Sequence, residues 1–175
     1  MALPGRDKTF ALENCRDLLR KLEREIDRFV AAHTDVEARN DLAFNIVVTA
    51  WHLCDWVFAD LTPEQMSKLQ IKSLADLQAV ARKCRALHLC RQAAIASKHW
   101  RVTDFPDPNV AVITTATPIS GPNAPRVPLY TAPSWYLYFI DGSDIQLAED
   151  VFALALEFWT HFIYHNEICK DDPAA

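Results

Sequence analysis

The sequence predicts a mainly helical protein, a four-helix bundle with a small antiparallel β-hairpin inserted between the third and fourth long helices. Two observations support this fold class. Long segments carry apolar residues at the three- and four-residue spacing of amphipathic helices. One stretch between two of these segments is instead rich in β-branched and aromatic residues, which favour strands. At 175 residues the chain is expected to form one domain, residues 1–175.

The apolar spacing places the boundaries of the helices. Long helices are predicted over residues 10–32, 36–60, 73–99 and 144–168, and a short helix is predicted from Thr62. Pairs of residues with the spacing of a capping box indicate where helices begin. These pairs are Thr34 with Glu37, Thr62 with Gln65, Ser73 with Asp76, and Ser143 with Gln146.

The hairpin insert is predicted over residues 109–141. Residues 109–117 and 134–141 have the composition of strands, and a turn is expected at Asp141-Gly142. Five prolines between the strands exclude a helix there. The hairpin is nearly uncharged, so one of its faces should pack on the helices. We expect its other face or an edge to meet a second copy in a homodimer, or else to be covered by the proline-rich loop, residues 118–133.

Composition excludes several protein classes. Half of the residues are apolar and the net charge is -5, which argues against a disordered chain and against a broadly basic nucleic-acid coat. We find neither an uninterrupted apolar run of membrane-spanning length nor a signal-peptide pattern at the N-terminus, so we expect a cytoplasmic protein without a membrane partner. The five cysteines form no CxxC pair, which favours free thiols, and no cofactor is expected.

The second helix carries a stripe of hydrogen-bonding side chains on an otherwise apolar surface. Asp41, Asn45, Thr49, His52 and Asp55 fall within about a third of its circumference. The stripe either faces solvent or lines an internal groove. The absence of Lys and Glu from the stripe favours the groove, because those residues are the usual ones on a solvated edge.

The third helix supplies a second set of polar side chains. Arg91 and His99 extend its core-facing stripe, and a buried guanidinium needs a partner, for which Asp55 or Asp41 is suitable. We therefore predict that His52, Asp55, Arg91 and His99 converge as catalytic residues. Supporting roles fall to Asn45, Thr49, Ser97 and Lys98. The alternative is an inter-helix ion pair that only fixes the register of the helices, with Lys98 and His99 as charge complements of the helix end.

Two segments resemble a family of small bacterial helical proteins of unknown activity. The first is NIVVTAWHLCDW and the second is CRQAAIASKH. The matching residues are Asn45, Thr49, Ala50, His52, Leu53, Asp55, Trp56, Ser97, Lys98, His99 and the pair Phe158-Trp159. Ile95 departs from this pattern, which has Asn at that position.

The arrangement is also similar to HEPN domains, helical bundles found in toxin-antitoxin and phage-defence systems. Ribonuclease members of that family use an Arg followed four to six residues later by a His, and Arg82 with His88 has this spacing. The resemblance implies an RNA-cleaving or RNA-binding effector, in which His is the general acid or base and Arg holds phosphate. The alternative function is a non-catalytic binding or assembly module.

A metal site is a lesser hypothesis. Glu157, His161 and His165 lie on one face of the fourth helix, at the spacing with which two histidines can bind a transition metal.

Overall fold

The computed structural model describes residues 10–99, 105–127 and 133–169. In these ranges the chain forms six helices and a three-stranded antiparallel sheet, so the prediction of a mainly helical protein with antiparallel strands is confirmed. The finer prediction, a four-helix bundle with a two-stranded hairpin, is not confirmed. The helices are α1 (Cys15–Ala31), α2 (Val36–Asp60), α3 (Pro63–Leu69), α4 (Leu74–Lys83), α5 (Arg85–His99) and α6 (Ala148–His165). The strands are β1 (Val110–Thr115), β2 (Tyr136–Asp141) and β3 (Asp144–Leu147), in the order β1-β2-β3.

Helix α2 lies at the centre of the fold. It packs against α1, α4, α5 and α6, and the indole N–H of Trp159 on α6 donates to the carbonyl of Ala50 at 2.9 Å. By length and composition alone α2 is long and apolar enough to cross a membrane, and half of its most apolar window is buried within the fold. Its bounds are those predicted, although Asp35 caps it instead of Thr34.

Helix α1 begins five residues later than predicted. The side chain of Asn14 accepts from the N–H groups of Arg16 and Asp17 and so starts the helix at Cys15. Phe10 and Ala11 have positive φ angles, and Phe10 is exposed. The short helix α3 begins as predicted, with a complete capping box between Thr62 and Gln65.

The predicted third long helix is two helices. Ser73 and Asp76 form the expected capping box at the start of α4, but Cys84 adopts an extended conformation and ends that helix. No Gly or Pro marks this break in the sequence. The break lets α5 take its own direction, in which Leu87, Leu89 and Cys90 are fully buried. Because no local sequence signal marks the break, we attribute the division into α4 and α5 to the packing of these buried residues.

The predicted start of the fourth helix was wrong. Residues 144–147 form β3, which pairs with β2 through the turn at Gly142, and α6 begins only at Ala148. The predicted box of Ser143 and Gln146 is not formed, and α6 has no side-chain cap. Backbone pairing with β2 gives hydrogen-bond partners to groups of this segment, whereas in one more turn at the start of α6 the N–H groups would have no partner within the helix.

The proline-rich loop covers one face of the sheet. In its described part, Ile119 and Val127 pack against Tyr136, Tyr138 and Leu147. The opposite face places Leu137 and Phe139 in the main core. The described part of the loop therefore lies against the outer face of the sheet, and the homodimer stays a prediction.

A buried ion pair joins α2 to α6. Arg39 is fully buried, donates to the carbonyl of Phe29 at 2.9 Å, and pairs with Glu149 at the start of α6. Its guanidinium also lies over the ring of Phe29, 4.0 Å from the centroid. This one side chain therefore links α1, α2 and α6.

We expect Arg39→Ala to lower the free energy of unfolding by about 3 to 5 kcal/mol, because Glu149 would lose its partner at a largely buried position. Urea denaturation measures this value. The control is Arg24→Ala, at an exposed position of α1, which should change stability by about 0.5 kcal/mol or less. Equal effects of the two substitutions would contradict a structural role for the ion pair.

Candidate functional site

An apolar groove lies between α2, α5 and β1. Its volume is about 630 Å³. The lining is mostly apolar, and it includes Phe44 from α2, Ala93 from α5 and Val112 from β1. Phe44 and Val112 are both about half exposed, so the apolar wall is accessible to solvent. Few polar side chains line the groove, and these are Asn40, Gln92, Asp107 and Thr114.

A network of polar side chains, which we call the α5 network, adjoins the groove through Gln92 and Asp107, which also line it. Its members are Arg85, His88, Gln92, Asp107 and Asp141. Arg85 pairs with both aspartates, and Nε2 of His88 lies 3.0 Å from Oδ2 of Asp107. Gln92 accepts from the backbone N–H of Asp107 at 3.3 Å. The α5 network fastens the segment before β1 to α5, and through Asp141 it also fastens the end of β2.

The charges in the α5 network shift the pKa values of the two aspartates. Hydrogen bonds from the Arg85 guanidinium hold the pKa of Asp141 below its usual value. Partial burial acts to raise the pKa of Asp107, but hydrogen bonds from the Asn109 N–H, Arg85 and His88 outweigh it and lower that pKa. Both carboxylates are therefore ionised near neutral pH, and Arg85, which pairs with both, balances one of their two negative charges.

Beside the groove, two arginines flank one exposed aromatic ring. Phe105 is 68% exposed, and the guanidinium carbons of Arg82 and Arg91 lie 5.0 and 5.8 Å from its ring centroid. Its backbone carbonyl accepts from Arg91 at 3.2 Å and from Gln92 at 2.8 Å. The ring is thus held on the surface between two cations.

The polar stripe of α2 does not face α5. Asn45, His52 and Asp55 are exposed, as is Asp41. Thr49 is buried, but its hydroxyl lies against α1, where it donates to Glu25 at 3.0 Å and accepts from Lys21 at 2.8 Å.

Arg91 lies in different surroundings from His52 and Asp55. Arg91 is buried, and its guanidinium carbon lies 5.6 Å from the centroid of the Trp51 ring. The α2 side chain next to Arg91 is therefore Trp51 and not the neighbouring His52. Among the described side chains, neither His52 nor Asp55 forms an ion pair with Arg91. The side chains of Ser97, Lys98 and His99 lie outside the described residues, so the four-residue site stays a prediction.

The Arg82–His88 pair of the HEPN resemblance is divided by the break between α4 and α5. Arg82 stacks on Phe105 and His88 bonds Asp107, so both side chains take part in anchoring residues 105–107. The helix break at Cys84 changes their relative position from that on a straight helix.

The histidines of α6 stack on each other. The rings of His161 and His165 have centroids 4.9 Å apart, and both residues are exposed, as is Glu157. Within the described ranges, the one group of three potential metal ligands whose donor atoms all lie within 4.8 Å is a different one, Cys15, Asp60 and Cys169. The α6 metal site stays a prediction.

Sequence patterns did not indicate the groove or the α5 network. Asp107 lies in a loop, and Asp141 is the last residue of β2. Acidic residues are common at both kinds of position, so the sequence does not distinguish these two as site residues. A partial signal existed for Arg85 and His88, which begin α5 and are spaced for one helix face. Their partners come from positions 19 to 56 residues away.

Comparison with protein-family models, with curated proteins and with solved structures gave no match for this chain. The family resemblance drawn from the sequence is therefore neither supported nor contradicted.

We expect the stabilising effect of the α5 network to depend on pH. A carboxyl group whose pKa is lowered by folding stabilises the fold above its unfolded pKa, about 3.9, and this stabilisation is lost as the pH falls through the folded value. Asp141→Asn should therefore lower Tm at pH 7, and the difference from the wild type should shrink below about pH 4. Thermal melts from pH 7 to pH 2 measure it. The control is Asp27→Asn, on the exposed face of α1, and a Tm difference for Asp141→Asn that does not change with pH would contradict the assignment.

Proposed function

We propose that this chain is a non-catalytic binding module that takes an extended apolar segment of a partner protein along β1, in the groove between α2, α5 and β1. The observation that carries the proposal is an accessible apolar groove beside an unprotected edge strand. Addition of a strand to a sheet edge is a common mode of peptide recognition, in which backbone hydrogen bonds give affinity and side-chain pockets give specificity.

Strand β1 lacks the features that protect sheet edges. It lies at the edge of the described sheet, and its six residues, Val110–Thr115, include no charged residue and no proline. Long uncharged edges pair readily with other strands, and natural proteins usually block them. The opposite edge, β3, is only four residues long and begins with Asp144. The contrast favours β1 as the docking edge.

The lining of the groove suits an apolar, uncharged segment. Ala93 and Ala96 of α5 leave space where larger side chains would fill it, and Val110 and Val112 form the strand side. A segment that pairs with all six residues of β1 would extend about 20 Å. Its apolar side chains would bury the exposed parts of Phe44 and Val112.

The α5 network argues against a charged ligand in the groove. Among the described residues of the lining, Asp107 alone is charged, and Arg85 and His88 already pair with it. A ligand therefore meets a mostly apolar surface, with the amides of Asn40 and Gln92 as hydrogen-bonding groups.

The test uses a library of random peptides displayed on phage and selected on the immobilised chain. We expect enrichment of peptides with alternating apolar β-branched residues. For a selected peptide, Val112→Lys should raise the Kd at least about tenfold, which is about 1.4 kcal/mol, because it places a charge in the apolar wall. Fluorescence anisotropy of the labelled peptide measures the Kd.

The control is Val30→Lys. Val30 and Val112 are each 44% exposed, but Val30 lies on α1, away from the groove. A second variant, Ala93→Phe, fills the groove, and Ala79→Phe on the exposed face of α4 is its control. Failure to enrich any peptide, or equal weakening by Val112→Lys and Val30→Lys, would refute the proposal. A dimer in light scattering that Val112→Lys dissociates would make a second copy the occupant instead.

A second candidate function, RNA binding or cleavage by a HEPN-like effector, is favoured by one observation. The exposed Phe105 ring lies between Arg82 and Arg91, and a ring beside guanidinium groups suits an unpaired base and its phosphate. His88 lies beside the same segment with its Nε2 against Asp107, as in a histidine oriented by a carboxylate.

This candidate predicts that Phe105→Ala weakens binding of labelled single-stranded RNA by about tenfold, in line with the loss of one stacked base. Phe44→Ala is the control, because Phe44 is also exposed but lies in the groove without a flanking cation. If the chain cleaves RNA, His88→Ala and His99→Ala should each abolish cleavage, with or without EDTA. Absence of both binding and cleavage would leave the peptide-binding module as the proposed function.

A further inference from the structure

Three residues that are far apart in the sequence meet at one end of the helical core. Cys15 is the first residue of α1, Asp60 is the last residue of α2, and Cys169 follows α6. The Sγ atoms of the two cysteines are 3.9 Å apart, and the donor atoms of all three residues lie within 4.8 Å of one another. The backbone N–H of Cys15 also donates to Oδ2 of Asp60 at 2.7 Å.

The segment that carries Cys169 is held in place by its neighbours. Ile168 is fully buried, and its carbonyl accepts from Nε of Arg16 at 3.0 Å. The side-chain amide of Gln65 on α3 donates to the carbonyls of Asn166 and Glu167. The position of Cys169 beside Cys15 is thus fixed by contacts that do not involve the thiols.

We propose that Cys15, Asp60 and Cys169 form a binding site for a divalent zinc ion, with two thiolates and one carboxylate as protein ligands and water in the fourth position. Thiolate and carboxylate are established zinc ligands, and three protein ligands with one open position are typical of accessible zinc sites.

The sulfur separation fits a shared metal ion. Two sulfur atoms that each lie about 2.3 Å from a tetrahedral zinc ion are about 3.8 Å apart, close to the observed 3.9 Å. A disulfide would need the sulfurs at about 2.05 Å. Soft thiolate ligands also select zinc over calcium or magnesium, which prefer sites made only of oxygen.

Without a metal, the surroundings hold both thiols in their protonated form. Burial raises the pKa of Cys169 to about 11, and burial together with the nearby Cys169 and Asp60 raises the pKa of Cys15 further. A zinc ion would supply the positive charge that the two thiolates and the carboxylate require, and its binding would release protons from the thiols. Zinc would join the start of α1, the end of α2 and the segment after α6.

The experiment uses the full chain, purified with a reductant and freed of metal with a chelator. Cobalt(II) is the spectroscopic probe, because tetrahedral thiolate coordination gives a sulfur-to-cobalt charge-transfer band and intense visible bands. We expect the charge-transfer band and the visible bands to appear on addition of one equivalent of cobalt(II). Both features should disappear when zinc displaces the cobalt. Zinc should also raise Tm, since a ligand that binds only the folded state stabilises it.

Variants separate this site from other thiols in the chain. Cys169→Ala should lose the charge-transfer band and the zinc-dependent rise in Tm, whereas Cys84→Ser, at a half-buried cysteine outside the cluster, should keep both. Asp60→Asn retains an oxygen that can accept from the Cys15 N–H but removes the negative charge, so it should weaken zinc binding. This variant tests the site independently, in case Cys169→Ala does not fold.

Three results would overturn the proposal. The first is the absence of a charge-transfer band in the wild type, and the second is an unchanged band in both Cys169→Ala and Asp60→Asn. The third is a Cys15–Cys169 disulfide that forms in the presence of zinc as readily as in its absence, because bound zinc should protect both thiols from oxidation.

Discussion

The burial of α2 on most of its circumference is the constraint that arranges the other helices. Between Asp41 and Asp55 the helix carries no charged residue, so it must be covered on several sides. Helices α1, α4, α5 and α6 provide this cover. The buried polar side chains of α2 have partners on other helices: Arg39 pairs with Glu149, and Thr49 bonds the Glu25 carboxylate. The polar stripe remains at the uncovered edge.

The proposed sites lie at opposite ends of this central helix. Asn40 lines the groove near the start of α2 and Asp60 ends the helix, a distance of 20 residues or about 30 Å along its axis. A peptide in the groove and a metal ion at the cysteines would therefore act through different parts of the structure. The groove depends on the α5 network, which holds β1 against α5, and the metal cluster depends on the anchoring of Ile168.

Local sequence signals predicted the elements whose stability is local. Helix α2, the capping boxes of Thr62 and Ser73, and the pairing of two β-branched and aromatic strands follow from periodicity and side-chain capping. The errors lie where the tertiary structure overrides the local helical preference. Residues 144–147 pair with β2 instead of extending α6, and the helix break at Cys84 has no Gly or Pro to indicate it.

The sequence by itself determined that α2 is buried, that α5 carries polar residues within an apolar helix, and that the hairpin is nearly uncharged, because these properties depend on residue type and spacing. Only the tertiary structure decided which polar groups meet. Arg85 finds Asp141 across 56 residues, and Cys15 meets Cys169 across 154. Helical periodicity gives the face on which a side chain lies but not the element opposite it. The sequence therefore offered Asp55 or Asp41 as a partner for Arg91, and in the structure the ring of Trp51 lies against its guanidinium.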